Sequence, residues 1–449
     1  MQVLTIEVPA LGNRCHLVHD GRSALVVDPP RDLAAVERAA EEAGVAITAV
    51  ADTHVHNDYL SGALGLARRH GADYLLAAGE RVAFERVGVR DGDVVDVGSL
   101  EVRVIATPGH TRHHLSFLAC DPAGGPAALF SGGSLLQGTV GRTDLTDDRL
   151  THDLARAQWA SARALAELDP GTTLHPTHGF GSFCASTTVP TSACLGTLAD
   201  QLSTNPALIT PREQFVTDLV AGFGPVPAYY EHMAPLNRAG AGRSAPRSAR
   251  AVTADDVTDA ILAGSWVVDL RDRSAFADRH LAGTVSVEYG AQFATYVGWL
   301  VPWQDDIVLL ADSPTVLEPA LRDLAGIGID GVGTHVLRAD AVLRASYRRS
   351  DWAGFRAADP RVPRVVIDVR RADEWAQGHL ASAVHLALHE LEARAGEIPA
   401  GEVWVHCRSG YRAGIAASIL HRLGRDVVHV DDTWERVGEL AIPTSRLAA

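Results

Sequence analysis

One pattern occurs twice in this chain. W-V-V-D-L-R-D-R-S-A-F-A-D-R-H-L-A-G at 266–283 returns as V-V-I-D-V-R-R-A-D-E-W-A-Q-G-H-L-A-S at 365–382. In each copy an apolar run ends in Asp-x-Arg, a helical stretch follows, and His-Leu-Ala comes next. A short apolar run followed by a helical stretch is the mark of a strand–helix α/β unit. Two copies spaced by about 100 residues predict two small α/β domains in tandem. At 449 residues and roughly 150 per domain, the chain has room for a larger domain ahead of them. R-A-G-A-G-R-S-A-P-R-S-A-R, 238–250, has no hydrophobic periodicity and reads as a linker. The expected organisation is one domain over 1–240, a first repeat domain over 250–345 and a second over 350–449.

The first 240 residues alternate strands and helices. L-T-I-E-V, C-H-L-V and S-A-L-V-V-D read as successive strands, and D-L-A-A-V-E-R-A-A-E-E-A-G as a helix closed by Gly44. The strand I-T-A-V-A-D then runs into T-H-V-H-N-D-Y-L-S-G, 53–62. Loops at strand ends are where α/β folds place ligands. His54 and His56, two apart, can point at one ion, and Asp58 at a second. T-P-G-H-T (107–111) adds His110 and H-P-T-H-G (175–179) adds His178. Imidazoles with a carboxylate suit zinc or non-haem iron.

These motifs, in this order, resemble the metallo-β-lactamase superfamily over roughly residues 1–240. Within it the closest look is to the persulfide dioxygenase branch, which is similar to glyoxalase II. L-F-S-G-G-S-L-L-Q-G-T-V-G-R-T-D (129–144) matches the family's block around an aspartate, and H-P-T-H-G-F-G-S-F-C (175–184) its last-histidine block. The resemblance implies an αββα sandwich and a metal site. It also exposes two departures. Tyr59 stands where the family has a histidine, and Gly133 where it has a metal-binding aspartate. That aspartate bridges two metals in dinuclear members, and in persulfide dioxygenases it completes an iron site of two histidines and a carboxylate. His54, His56 and His110 remain as a first-metal set able to hold zinc, and Asp58 and His178 as the remnant of a second. Three outcomes stay open: one metal on the histidines (Fe(II) by resemblance, zinc by the ligand set), a metal-free scaffold, or recruitment of Asp58. Arg142 in G-R-T-D reads as a substrate contact or a turn salt bridge. Cys184 and Cys194 flank the presumed site as persulfide-reactive or inert buried thiols.

The second repeat contains V-W-V-H-C-R-S-G-Y-R-A-G-I-A-A-S-I-L-H-R-L-G, 403–424. A strand delivers Cys407 into a short loop, and the loop feeds a helix starting near Tyr411 and ending before Gly424. Loop amides and a helix N-terminus aimed at the sulfur favour a thiolate, and Arg408 and Arg412 add positive charge. The Cys-x4-Arg spacing resembles the rhodanese active-site loop. That resemblance implies Cys407 as persulfide-forming nucleophile, Arg408 and Arg412 as its catalytic cations, and Ser409, Gly410 and Tyr411 as the substrate cradle. The first repeat has Asp312 at the cysteine position, which predicts an inactive copy.

A net charge of -15, with no Lys among 40 basic residues, argues against nucleic acid and anionic membranes as partners. No apolar run reaches the roughly 18 residues of a membrane span, and the N-terminus lacks signal-peptide character. Five cysteines fit a reducing cytoplasm. The domain order resembles bacterial persulfide dioxygenase–sulfurtransferase fusions. It implies persulfide, thiosulfate or sulfite as partners, oxidation of persulfide to sulfite by the first domain, and homo-oligomers. A glyoxalase II-like thioester hydrolase and a non-enzymatic sulfur carrier or sensor are the alternatives.

Overall fold

The computed structural model describes residues 1–186, 196–240, 248–338, 342–359 and 361–446. Cys194 and the central part of the expected linker lie outside them. The chain divides into two compact units, Met1–Pro246 with Arg322–Ile329, and Arg247–Leu321 with Asp330–Ala449. Both repeats fall in the second unit. Among the described residues no helix is long and apolar enough to cross a membrane.

The first unit is built on two sheets. Six strands lie in sequence order, Gln2–Val8, Asn13–His19, Ser23–Val27, Ala46–Ala51, Asp73–Ala77 and Val87–Val89. The second sheet runs Thr173–Pro176, Ala128–Gly132, Leu115–Cys120, Leu100–Ala106, Val94–Val97. Successive side chains of a strand face opposite ways, and here both faces are apolar. Val18, Leu25, Val27, Val102, Phe117 and Phe130 fill the space between the sheets. Leu17, Val26 and Val50 face outward onto the helices Ala34–Ala43 and Ala63–His70. Leu129 and Leu174 face the helices Thr151–Leu165 and Arg212–Ala221. Three apolar layers between four layers of elements make the expected αββα sandwich. The helix from Ala34 ends at Gly44, whose φ of 67° places it in the left-handed region that glycine adopts without strain. Each metal motif begins where a strand of this sandwich ends.

The second unit holds two five-stranded parallel sheets. One runs Arg250–Ala251, Gly333–Val336, Ile307–Ala311, Trp266–Asp269, Val285–Ser286. The other runs Arg348–Ser350, Val427–Val430, Glu402–His406, Arg364–Asp368, Ala383–His385. The two orders agree position by position, so the sequence repeat is also a topological one. Its shared motif has a physical purpose. Asp269 and Asp368 end their strands with no exposed surface, and a buried carboxylate needs a partner. Arg271 turns back to Asp269 at 2.7 Å and Arg370 to Asp368 at 2.6 Å. The same guanidinium nitrogens reach the carbonyls of Arg279 and Gly378 at 3.0 and 2.7 Å. The histidine of each His-Leu-Ala stacks on an aromatic four residues earlier, His280 on Phe276 at 4.0 Å and His379 on Trp375 at 3.7 Å. Each motif thus clamps a strand to the end of its own helix.

Arg271→Ala or Arg370→Ala leaves a buried carboxylate without its cation. Each is expected to cost about 3–5 kcal/mol, read as a lower urea midpoint. A loss below about 1 kcal/mol, the range of an exposed pair, would contradict the clamp.

Candidate functional site

Four histidines converge in the first unit. His54, His56, His110 and His178 have no exposed surface. Each has one ring nitrogen held by the protein. His54 Nδ1 donates to Thr53 Oγ1 at 2.9 Å, His110 Nδ1 to the Arg142 carbonyl at 2.7 Å and His178 Nδ1 to Asn13 Oδ1 at 2.9 Å. His56 Nε2 lies 3.2 Å from Asp28 Oδ1 and 3.0 Å from the Tyr59 hydroxyl. These acceptors fix the tautomers, because a ring N–H held outside leaves the other nitrogen with a bare lone pair. His56 Nδ1 and His110 Nε2 have no partner. His54 Nε2 and His178 Nε2 face each other at 3.4 Å. Two lone pairs at that distance repel, unless a cation lies between them. Zinc–nitrogen bonds of about 2.0–2.1 Å at a tetrahedral angle separate two ligand nitrogens by about 3.4 Å. The residues therefore fit a bound metal ion.

Burial keeps three of these imidazoles neutral, the form that binds metal. It pushes His54 well below the usual histidine range, His110 down to about 3, and His178 down as well. For His56 burial also opposes the charge, but Asp28, Asp52 and Asp58 outweigh it and raise its pKa.

Ligand atoms of His54, His56 and His178 lie within 4.8 Å of one another, as do those of His110, His178 and Cys184. His178, expected with a second metal, thus joins the first two histidines, and His110 sits with His178 and a cysteine. Asp58 is in none of these groups among the described residues. Its Oδ2 accepts from Asn13 at 2.7 Å and Ser182 at 3.3 Å.

Gly133 is more than a missing ligand. A Cβ there would overlap the His110 ring at Cδ2, so that imidazole occupies the space where the aspartate side chain would start. The Gly133 N–H donates to His114 Nε2 at 3.0 Å, which uses that nitrogen's lone pair and removes His114 as a ligand. Tyr59 fills the place of the family's histidine as a buried donor to the Asp28 carbonyl at 3.2 Å. Arg142 is committed to Asp144 at 2.6 and 2.7 Å and to the Gly224 carbonyl at 2.7 Å. Sequence reasoning missed Asp28, Asn13 and His114. The one available signal was Asp28 itself, a charged residue closing the apolar run S-A-L-V-V-D.

In the second unit the strand Glu402–His406 leads to Cys407, which is 1% exposed, and the helix Tyr411–Arg422 follows. Gly410 caps that helix with φ 85°, and a Cβ on it would strike Asp431 Oδ1. His429 Nε2 donates to the Gly410 carbonyl at 2.9 Å. Asp431 is held at 2.8 Å by Arg273 and at 3.1 Å by Arg349. Arg273 also binds Glu288 at 2.6 Å, and the Tyr411 hydroxyl donates to the Glu288 carbonyl at 3.0 Å. Arg273 and Glu288 belong to the copy without a cysteine, so that copy braces the loop of the other. Arg412 forms a two-pronged pair with Glu374 at 2.6 and 2.8 Å. Burial opposes the charge of Glu374, but Arg412 outweighs it and draws its pKa down to about 2. Arg408 and Ser409 are exposed, Arg408 lying 3.5 Å from Glu435. Beside Arg412 a cleft is lined by Tyr296 and Trp299 of the first copy and by Val369, Leu388 and His389 of the second. Asp312 is exposed at the end of Ile307–Ala311.

Residues 8–178 match the metallo-beta-lactamase superfamily and residues 352–439 match the rhodanese-like domain. Residues 8–178 belong to the metallo-β-lactamase superfamily, and a rhodanese-like domain lies toward the end of the chain. A hydroxyacylglutathione hydrolase of Cupriavidus taiwanensis is 37% identical over 30% of this chain and 54% of its own. One of Cereibacter sphaeroides is 33% identical over 40% of this chain and 69% of its own. The chain thus spans little more than half of the first of these relatives. A metallo-beta-lactamase structure from Staphylococcus aureus subsp. aureus COL is 25% identical, covers 75% of this chain and 99% of its own, and superposes with a TM-score of 0.67. That coverage reaches beyond the first unit.

Gly133→Asp is expected to disturb the site rather than repair it. It should destabilise the protein by about 1–3 kcal/mol through overpacking against His110, and bound metal should not rise. Higher iron content at unchanged stability, by elemental analysis and thermal melting, would contradict this.

Proposed function

We propose that this protein is a sulfurtransferase acting on low-molecular-weight persulfides and thiosulfate, with Cys407 as nucleophile. One observation carries the reading: Cys407 sits between a buried strand and a helix N-terminus, within the region that matches the rhodanese-like domain. The thiolate of Cys407 attacks the outer sulfur of the donor. The donor's S–S bond breaks, and the thiolate or sulfite leaves with the electron pair. Cys407 then carries a persulfide. A thiol, sulfite or cyanide attacks its outer sulfur, the second S–S bond breaks, and the Cys407 thiolate returns.

The helix Tyr411–Arg422 places its positive N-terminal end next to this anionic sulfur. Arg412 is a positioning residue, since Glu374 holds it and fixes its charge near the loop. In the first unit a metal ion would be held through His178, either with His54 and His56 or on the side of His110. Such an ion supplies Lewis-acid polarisation when bound. The set lacks the carboxylate of a two-histidine, one-carboxylate oxygen-activating site. Oxygen consumption with glutathione persulfide is therefore expected to be near background. A second reading, thioester hydrolysis of glyoxalase II type, draws support from the names of the relatives.

Cys407→Ser should reduce sulfur transfer from thiosulfate or glutathione persulfide to background, while the wild type turns over. Surviving transfer in the variant would overturn Cys407 as nucleophile. Oxygen uptake matched by sulfite, or cleavage of a glutathione thioester, would move the main activity to the first unit.

A further inference from the structure

Cys184 lies in the first unit and is not used in the sulfur transfer proposed for Cys407. It follows the last-histidine loop, has no exposed surface, and its Sγ lies 4.0 Å from the Tyr230 hydroxyl. That Sγ lies within 4.8 Å of a ring nitrogen of His110 and of His178. We propose that Cys184 is a metal ligand, forming with His110 and His178 a soft three-donor site whose thiolate stands in for the carboxylate missing at Gly133.

Three observations carry this. His110 Nε2 has no partner although its residue is wholly buried, as expected for a donor awaiting an ion. Arg142 ties the two ligands together, its carbonyl accepting from His110 Nδ1 at 2.7 Å and its N–H donating to the Cys184 carbonyl at 2.9 Å. Charge also favours an anionic ligand. A dication held by neutral imidazoles alone relies on the nearby carboxylates Asp28, Asp52 and Asp58 for compensation. A thiolate ligand cancels one unit of its charge directly. Asp58, the other candidate, is in neither histidine group.

His178 belongs to both groups, yet its free nitrogen has one lone pair and serves one ion at a time. The set with His54 and His56 and the set with His110 and Cys184 therefore exclude each other. Imidazole and thiolate together suit zinc. Binding releases the Cys184 proton to solvent, and the sulfur lone pair goes to the metal with no change of oxidation state. This inference does not rest on sulfur transfer by Cys407.

The test is X-ray absorption at the zinc edge on full-length Cys407→Ser protein, which removes the reactive thiol, loaded with about one equivalent of zinc. A sulfur neighbour at about 2.3 Å is expected. Adding Cys184→Ser should leave only nitrogen and oxygen at about 2.0–2.1 Å. A shell without sulfur in the single variant, or sulfur persisting in the double one, overturns the proposal. If the double variant does not fold, cobalt(II) in the single variant decides. A thiolate-to-cobalt charge-transfer band in the near ultraviolet supports Cys184, and bound cobalt without it overturns Cys184.

Discussion

Asp28 ends the strand Ser23–Val27 at φ 54°, a left-handed conformation that costs a residue with a Cβ about 1–2 kcal/mol. In that position its buried carboxylate accepts the Thr53 N–H at 2.7 Å, the Thr53 hydroxyl at 2.8 Å, the Thr177 hydroxyl, and the His56 ring at 3.2 Å. Burial raises its pKa, but His56 and these donors outweigh burial and hold it below the usual carboxylate range. Thr53 opens the loop of His54 and His56, and Thr177 precedes His178. One side chain therefore ties together two loops that are 124 residues apart in sequence. The inward-facing imidazoles follow from this constraint.

The rest of the site adapts to the same pocket. With no side chain at 133, the His110 ring occupies that space, and its outer nitrogen is fixed by the Arg142 carbonyl. The guanidinium of Arg142 is spent on its own turn, while its backbone aligns His110 and Cys184. The two cysteines thus have opposite surroundings. Cys184 faces imidazoles in a closed core. Cys407 lies at a helix N-terminus in a loop braced by Asp431 and Arg273. The first suits a ligand, and the second a nucleophile.

Much of this was legible in the sequence, for identifiable reasons. The strands and the Gly44 cap follow from side-chain alternation and backbone preference, which are local. The Asp-x-Arg repeat and the strand–Cys407–helix unit are equally local. The three histidine motifs were visible because each follows a strand. Side-chain partners were not legible. Nothing near Arg412 announces Glu374, 38 residues earlier, which absorbs both of its terminal nitrogens. Nothing in G-R-T-D shows that Arg142 also binds the Gly224 carbonyl. The pairing of His178 with His54, and the meeting of His110 with Cys184, depend on how the two sheets stack.

The central claim is a division of sulfur chemistry, with transfer at Cys407 and ligation at Cys184. Peptide mass spectrometry of zinc-loaded protein treated with thiosulfate and then alkylated tests it most directly. The prediction is one added sulfur atom on the peptide carrying Cys407 and none on the peptide carrying Cys184. An added sulfur on Cys184, with Cys407 unmodified, would contradict it.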